Sequence, residues 1–224
     1  MLFKDRRAAG QQLAEKLAAY ANRPDVLVLA LPRGGVPVAF EVAQTLHVPL
    51  NIFLVRKLGV PGQEELAMGA LASGGVRVLN DEVVRSLHLS EVTIDQVATQ
   101  EQQELERREC LYRDDRLAPN LKECTVIVVD DGLATGATMR AAVKAIRQQQ
   151  PTRIVVAVPI SSPETCQELA AEVDEMICAM TPSPFQSVGH WYNNFSQTTD
   201  QEVRDLLQQA TTRTQPSAVG VAQL

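Results

Sequence analysis

The stretch Val126-Ile127-Val128-Val129-Asp130-Asp131-Gly132-Leu133-Ala134-Thr135-Gly136-Ala137-Thr138-Met139-Arg140-Ala141-Ala142-Val143 decides how the chain is read. The β-branched run Val126 to Val129 predicts a buried strand. It ends on two carboxylates, Asp130 and Asp131. A loop of small residues follows, Gly132 to Thr138, and then a helix with Met139, Val143 and Ile146 on one face. Small residues let an anion approach the backbone closely. Backbone N–H groups of such a loop point into one concavity, and the helix start adds partial positive charge. Thr135 and Thr138 add hydroxyl donors. Carboxylates at a strand end accept hydrogen bonds from sugar hydroxyls. A phosphate seat beside an acidic pair describes a site for a ribose 5-phosphate.

Other readings of the stretch fit less well. A plain strand–turn–helix explains the glycines but not the paired carboxylates beside threonines. A receiver domain also ends an apolar strand in paired Asp, but it needs a phospho-accepting Asp on a following strand. Here the next strand, Ile154 to Val158, runs into Pro159-Ile160-Ser161. No Gly-x-Gly-x-x-Gly fingerprint and no Walker lysine motif occurs. From Val126 to Thr138 the stretch resembles, residue by residue, the phosphoribosyl-pyrophosphate (PRPP) motif of type I phosphoribosyltransferases. The resemblance implies that Asp130 and Asp131 hold the ribose 2- and 3-hydroxyls. It places the 5-phosphate on Ala134, Thr135, Gly136, Ala137 and Thr138.

Two more segments fit the same family. Val26 to Leu31 predicts the first buried strand, followed by Pro32-Arg33-Gly34-Gly35 and a helix over Val36 to Leu46. Arg33 supplies a forked donor suited to phosphate oxygens. The Arg33-Gly34 pair is similar to the pyrophosphate loop of adenine phosphoribosyltransferases, which assigns Arg33, Gly34 and Gly35 to pyrophosphate. Leu50 to Val55 predicts the next strand, ending in Arg56-Lys57-Leu58-Gly59-Val60-Pro61-Gly62. Cations at the C-terminal end of a strand sit where ligands bind in open α/β sheets. The segment is similar to an Arg-Lys-x-Gly-x-x-Pro-Gly run of the adenine enzymes, one residue shorter between glycine and proline. Arg56 and Lys57 are therefore expected to act on pyrophosphate and, with Asp130 and Asp131, to form the catalytic set. Leu66 to Ala72 and Val76 to Leu79 flank Ser73-Gly74-Gly75 and predict a hairpin, where related enzymes carry a mobile flap.

The rest of the chain is read more coarsely. Residues 3–21 predict an amphipathic helix with Leu13, Leu17 and Tyr20 on one stripe. Arg6 and Arg7 on it are read as solvated rather than as site residues. Asp81 to Leu87 and Ser90 to Arg113 predict helices, with Ser90 as an N-cap. The second is charge-laced, and its few apolar positions, Val97, Leu105 and Leu111, leave part of it for packing against another subunit. After Ile154 to Val158 come a helix over Glu164 to Ala171 and a strand over Asp174 to Ala179. Residues 181–195 form a proline-rich loop holding Phe185, Trp191, Tyr192 and Phe195. Trp191 and Tyr192 either form an acceptor hood or plug the core edge; both readings stay open. A final helix spans Thr199 to Ala210, and residues 211–224 read as a tail.

The expected fold is α/β: a three-layer, type I phosphoribosyltransferase-like arrangement. It has a five-stranded, mainly parallel sheet between helices, a β-hairpin flap and a C-terminal hood. One domain covers 1–210, with its core over about 26–180 and its hood over about 181–198. At 224 residues, 45% hydrophobic and 4% aromatic, the chain can bury a sizeable aliphatic core. A net charge of −6 argues against broad nucleic-acid or anionic-membrane binding. No apolar run approaches the ~20 residues of a membrane span, and the N-terminus lacks a signal-peptide core. Cys110, Cys124, Cys166 and Cys178 form no Cys-x-x-Cys pair and read as reduced thiols of a cytoplasmic protein.

The activity implied by the resemblance is Mg²⁺-dependent transfer of the 5-phosphoribosyl group from PRPP to a nitrogenous base, with release of pyrophosphate. Mg²⁺ would be held by PRPP and water near Asp130 and Asp131 rather than by a protein cage. Ala134 stands where hypoxanthine-guanine enzymes carry Asp and is similar to the small residue of adenine enzymes, which argues against a 6-oxopurine acceptor handled in the usual way; a purine-like acceptor is slightly favoured. A homodimer is the family expectation. The rival reading is a PRPP-binding regulator without turnover. An accessory ComF-like protein is disfavoured by the absence of its zinc-finger segment.

Overall fold

The computed structural model describes residues 2–113 and 118–214. Its centre is a parallel sheet of five strands in the order β2-β1-β6-β7-β8. These are β1 (Val26–Ala30), β2 (Leu50–Ile52), β6 (Thr125–Val129), β7 (Arg153–Ile160) and β8 (Glu175–Met180). The expected fold class and sheet are therefore present. Strands β1 and β6 are buried along their whole length, as befits strands covered on both faces. Alternate residues feed two cores. Val26, Val28, Ala30, Ile127 and Val129 join one with Leu13, Leu17, Val38 and Val42. Leu27, Leu29, Val126 and Val128 join the other with Met139, Val143, Ile146 and Leu169. That alternation is the period-two consequence of strand geometry.

Helices α1 (Arg6–Lys16) and α2 (Gly35–Leu46) cover the first face. A Cβ on Gly10 would lie 2.6 Å from the Val38 carbonyl oxygen, so the two helices approach to backbone contact. Helices α5 (Ala137–Gln148) and α6 (Pro163–Ala170) cover the other face. The expected stripe on α5 is buried, Met139, Val143 and Ile146 together with Ala142 and Ala145.

The chain after β2 departs from the expectation. Leu50 to Val55 is not one strand: β2 stops at Ile52. Leu54 and Ser73 exchange hydrogen bonds, Ser73 N donating to Leu54 O and Leu54 N to Ser73 Oγ, both at 2.9 Å. This diverts the chain into a separate antiparallel sheet of β3 (Val55–Val60), β4 (Gln63–Ala72) and β5 (Val76–Leu79). The predicted Ser73-Gly74-Gly75 hairpin joins β4 and β5 through the Ala72–Val76 pair. Arg56 and Lys57 thus lie inside β3, not in a loop beyond a core strand.

Helix α3 (Asp81–Ser86) leads to α4 (Glu91–Arg113), and Ser90 Oγ accepts from Thr93 N as the predicted N-cap. Ile94, Ala98, Leu105 and Tyr112 of α4 are buried. They pack within the chain on β3, β4 and α7 (Asp200–Thr214), so this stripe is covered without another subunit. Helix α7 runs four residues beyond the expected helix end at Ala210, to Thr214; positions 215–224 lie outside the described residues. No helix among the described residues is long and apolar enough to cross a membrane.

The cysteine expectation is corrected at one pair. Cys166 of α6 and Cys178 of β8 form a disulfide, with Cα atoms 6.7 Å apart. The α6 crossover lies against β8 and apposes two thiols that no local spacing pattern marks. Cys110 and Cys124 are free. Closing a loop of 12 residues in the unfolded chain stabilises the fold by a few kcal/mol. Cys166→Ser is expected to lower the unfolding free energy by about 2 kcal/mol, read from a chemical denaturation midpoint. Dithiothreitol should shift the wild-type midpoint by a similar amount; two unchanged midpoints would show that the bond contributes nothing.

Candidate functional site

Pairing of β1 with β6 builds the site. Their register matches Ala30 to Val129, so the loops that leave both strands emerge side by side. Leu31 N donates to Val129 O at 2.9 Å and extends the pairing one step. The turn after β1 then presses on the acidic pair. A Cβ on Gly34 would lie 2.0 Å from Asp131 Oδ2, and one on Gly35 would lie 2.9 Å from Asp130 Cα. Only glycine lets these loops touch. The Pro32–Arg33 peptide is cis.

Asp130 and Asp131 are both half-buried. Asp130 Oδ1 accepts from the Asp131 N–H at 2.8 Å. Burial first, and then the negative charge of Asp131, push the Asp130 carboxyl well above the ordinary aspartate range. Asp131 is also raised by burial, but Arg6 opposes the rise. Arg6 Nε donates to Asp131 Oδ2 at 2.7 Å, and the Arg6 side chain is 11% exposed. The expectation of a solvated Arg6 is therefore corrected: Arg6 is turned from solvent onto the acidic pair. Arg7 does lie half in solvent, 3.4 Å from Glu41. A signal for Arg6 was present in the sequence. Asp5 caps α1 by accepting from Ala8 N, which puts Arg6 and Arg7 in the first turn with no acidic residue there. Cations at a helix start oppose the macrodipole, and at Arg6 the Asp131 carboxylate offsets that cost.

The loop after Asp131 is anchored from beneath. Leu133 N donates to Ile160 O at 2.9 Å, and Thr165 Oγ1 donates to Ala134 O at 2.9 Å. Gly136 holds φ at +70° and starts α5. A Cβ there would meet Leu169 and Thr165 side chains at 3.1 Å. With its buried side filled, the loop turns Ala134, Thr135, Ala137 and Thr138 to solvent. Thr135 Oγ1 accepts from Ala137 N at 3.4 Å. An exposed loop of small residues at the start of a twelve-residue helix can seat an anion.

Both assigned arginines are already paired. Arg33 lies 3.8 Å from Asp200, in the first turn of α7. Tyr112 of α4 donates its hydroxyl to the same carboxylate. Burial and that partner push the Tyr112 hydroxyl up to about 12. Arg56 contacts Glu101 of α4 at 2.6 Å. Lys57 is exposed on β3. Asp130, Asp131, Gly34, Gly35 and the loop from Ala134 to Thr138 thus converge, whereas Arg56 and Lys57 sit on the other sheet.

The hood has two pieces, one of them unforeseen. Phe3 N donates to Trp191 O at 2.9 Å and Asn193 N to Phe3 O at 2.8 Å. The N-terminal segment therefore pairs with residues 191–194. Tyr192 is 6% exposed and packs with Phe3, Ala9 and Ile160. Its hydroxyl donates to the Asp131 carbonyl at 2.6 Å, and burial pushes its pKa far up. Of the two open readings, Tyr192 takes the core one. Trp191 is half-buried beside it, its indole N–H lacking a partner among the described residues. Among the described residues no group of three or more metal-binding side chains occurs. Asp130 and Asp131 offer hard oxygen donors, which fit a Mg²⁺ ion carried by a substrate and water.

The family model described as "Phosphoribosyl transferase domain" matches residues 3–190. Proteins from the H37Rv and CDC 1551 strains of Mycobacterium tuberculosis, each named "Putative phosphoribosyl transferase", are 48% identical over 209 residues. That overlap is 93% of this chain and 47% of each relative, so the chain spans about half the length of the curated relatives it matches. The crystal structure of TT1426 from Thermus thermophilus is 41% identical, with a TM-score of 0.84 over 93% of this chain and 99% of that one.

A raised Asp130 pKa fixes the sign of a stability effect. The folded state then binds a proton more tightly than the unfolded state. Stability falls as pH rises from the ordinary aspartate range toward the folded value. Asp130→Asn removes this loss. Its thermal midpoint is expected above wild type at pH 7, and the gap should close as pH drops below the ordinary aspartate range. A midpoint below wild type at pH 7 would contradict the electrostatic account.

Proposed function

The chain belongs to the phosphoribosyl transferase family, and from that premise we propose that it transfers 5-phosphoribosyl from PRPP to a nitrogenous base, releasing pyrophosphate. A purine-like acceptor and a homodimer belong to the same reading. One observation carries it: the Gly34 turn lies against Asp131 at the ends of adjacent parallel strands, beside an open, small-residue loop. That arrangement offers a phosphate seat, hydroxyl acceptors and a glycine turn side by side, the three parts that a phosphorylated sugar diphosphate needs.

In this reading the amides of Ala134 to Thr138, with Thr135 and Thr138, hold the 5-phosphate. Asp130 and Asp131 accept the ribose hydroxyls and orient the anomeric carbon. Breaking the anomeric C–O bond leaves positive charge on the sugar and adds negative charge to pyrophosphate. The backbone of Gly34 and Gly35, with Arg33, stabilises the departing charge. Arg56 and Lys57 would join only when the β3–β5 sheet closes over the donor. Mg²⁺, when bound with PRPP, would offset diphosphate charge.

A PRPP-binding regulator without turnover is the second reading. The pairing of Arg56 with Glu101, away from the acidic pair, favours it. Pyrophosphate release from PRPP, assayed against a panel of purine and pyrimidine bases, separates the two. Turnover with one base is the expected result; saturable PRPP binding without turnover would select the regulator. Asp130→Asn combined with Asp131→Asn is expected to weaken PRPP binding more than tenfold, about 1.4 kcal/mol or more. Unchanged affinity in that variant would remove the site assignment.

A further inference from the structure

The hood grips Asp131 at both ends of the residue. Tyr192 holds its carbonyl, and Arg6 holds its carboxylate. Arg6 is itself fixed by three kinds of contact. Its Nε donates to Asp131 Oδ2 and its Nη1 to the Ser196 carbonyl, each at 2.7 Å. Its guanidinium carbon lies 3.9 Å from the Phe195 ring centroid, a cation–π geometry. Anchoring of the N-terminal segment does not require this arginine. Phe3 is tied by backbone bonds to Trp191 and Asn193, Asp5 caps α1, and Leu13 and Leu17 are buried. Of the three partners of this cation, set against the helix dipole and removed from solvent, Asp131 is the one that carries the opposite charge.

We propose that Arg6 is a positioning residue for the sugar grip. It takes Asp131 Oδ2 and thereby presents Oδ1 to a ribose hydroxyl. The proposal rests on the reading of Asp131 as a hydroxyl acceptor. It also ties the hood to the donor: Phe195 and Ser196 hold Arg6, so a hood displaced at residues 195–196 would strip Arg6 of two of its three partners. Lysine cannot replace the fork, because one ammonium cannot reach a carboxylate and a carbonyl while lying flat on a ring.

The test is a double-mutant cycle on PRPP dissociation constants with Mg²⁺ present, using wild type, Arg6→Gln, Asp131→Asn and the double variant. Arg6→Gln is expected to weaken binding about tenfold, and Arg6→Lys to recover part of the loss. In the Asp131→Asn background, Arg6→Gln should add less than about twofold, because its effect passes through the missing carboxylate. A merely structural arginine would give losses that multiply, and that result overturns the proposal. Arg6→Gln binding as tightly as wild type overturns it whatever the background shows. Thermal midpoints of all four proteins establish that each is folded. Wild type that fails to bind PRPP would instead strike the functional reading, and this proposal with it.

Discussion

Adjacent carboxylates at a half-buried strand end repel each other, and burial penalises both charges. The structure answers that constraint unevenly. Asp130 receives a backbone N–H from its own neighbour, while Asp131 receives a guanidinium. Burial therefore dominates at Asp130, and Arg6 opposes it at Asp131. Much of the surrounding architecture supplies this asymmetry. The N-terminal segment, the 191–196 loop and the Gly34 turn come from distant parts of the chain, and all of them touch Asp131.

The sheet order explains how they can. Placing β1 beside β6 at the centre puts two strand-to-helix loops at one edge, where ligands bind in open α/β folds. The same edge receives the hood, because α1 packs on α2 and on β7 and β8. Thr165 of α6 then holds the loop carbonyl at Ala134 from the opposite face. A repelling pair of carboxylates at the end of a fully buried strand costs stability, which is the trade expected where a site needs a fixed geometry.

What could be read from residues alone follows from how local each cause is. The strand, acid pair, loop and helix from Val126 to Val143 are set by neighbours in sequence, and they form as the pattern requires. The hairpin at Ser73-Gly74-Gly75 is equally local. Arg56 and Lys57 fall on β3 rather than beyond a core strand because the Leu54–Ser73 exchange, 19 residues apart, ends β2 early. An apolar run cannot announce such a pairing. Arg6 meets Asp131 across 125 residues, with only the dipole-opposed helix start as a hint. Cys166 and Cys178 meet because a helix lies on a strand, which no cysteine spacing encodes.

Magnitudes separate the cations near the site into two kinds. Arg33 and Asp200 are 36% and 48% exposed at 3.8 Å, and Arg56 and Glu101 are 30% and 27% exposed. Pairs of this kind contribute up to about 1 kcal/mol, so an incoming diphosphate can exchange them for its own oxygens at small cost. Arg6 and Asp131 are 11% and 15% exposed at 2.7 Å. Separating a buried pair costs about 3 kcal/mol or more, and Arg6 would also leave the Phe195 ring and the Ser196 carbonyl. Under the proposed function a diphosphate would draw Arg33 and Arg56 off by exchange, whereas Arg6 is already committed to Asp131. The pairing that looks most like a blocked site is the one that ligand binding has least reason to break.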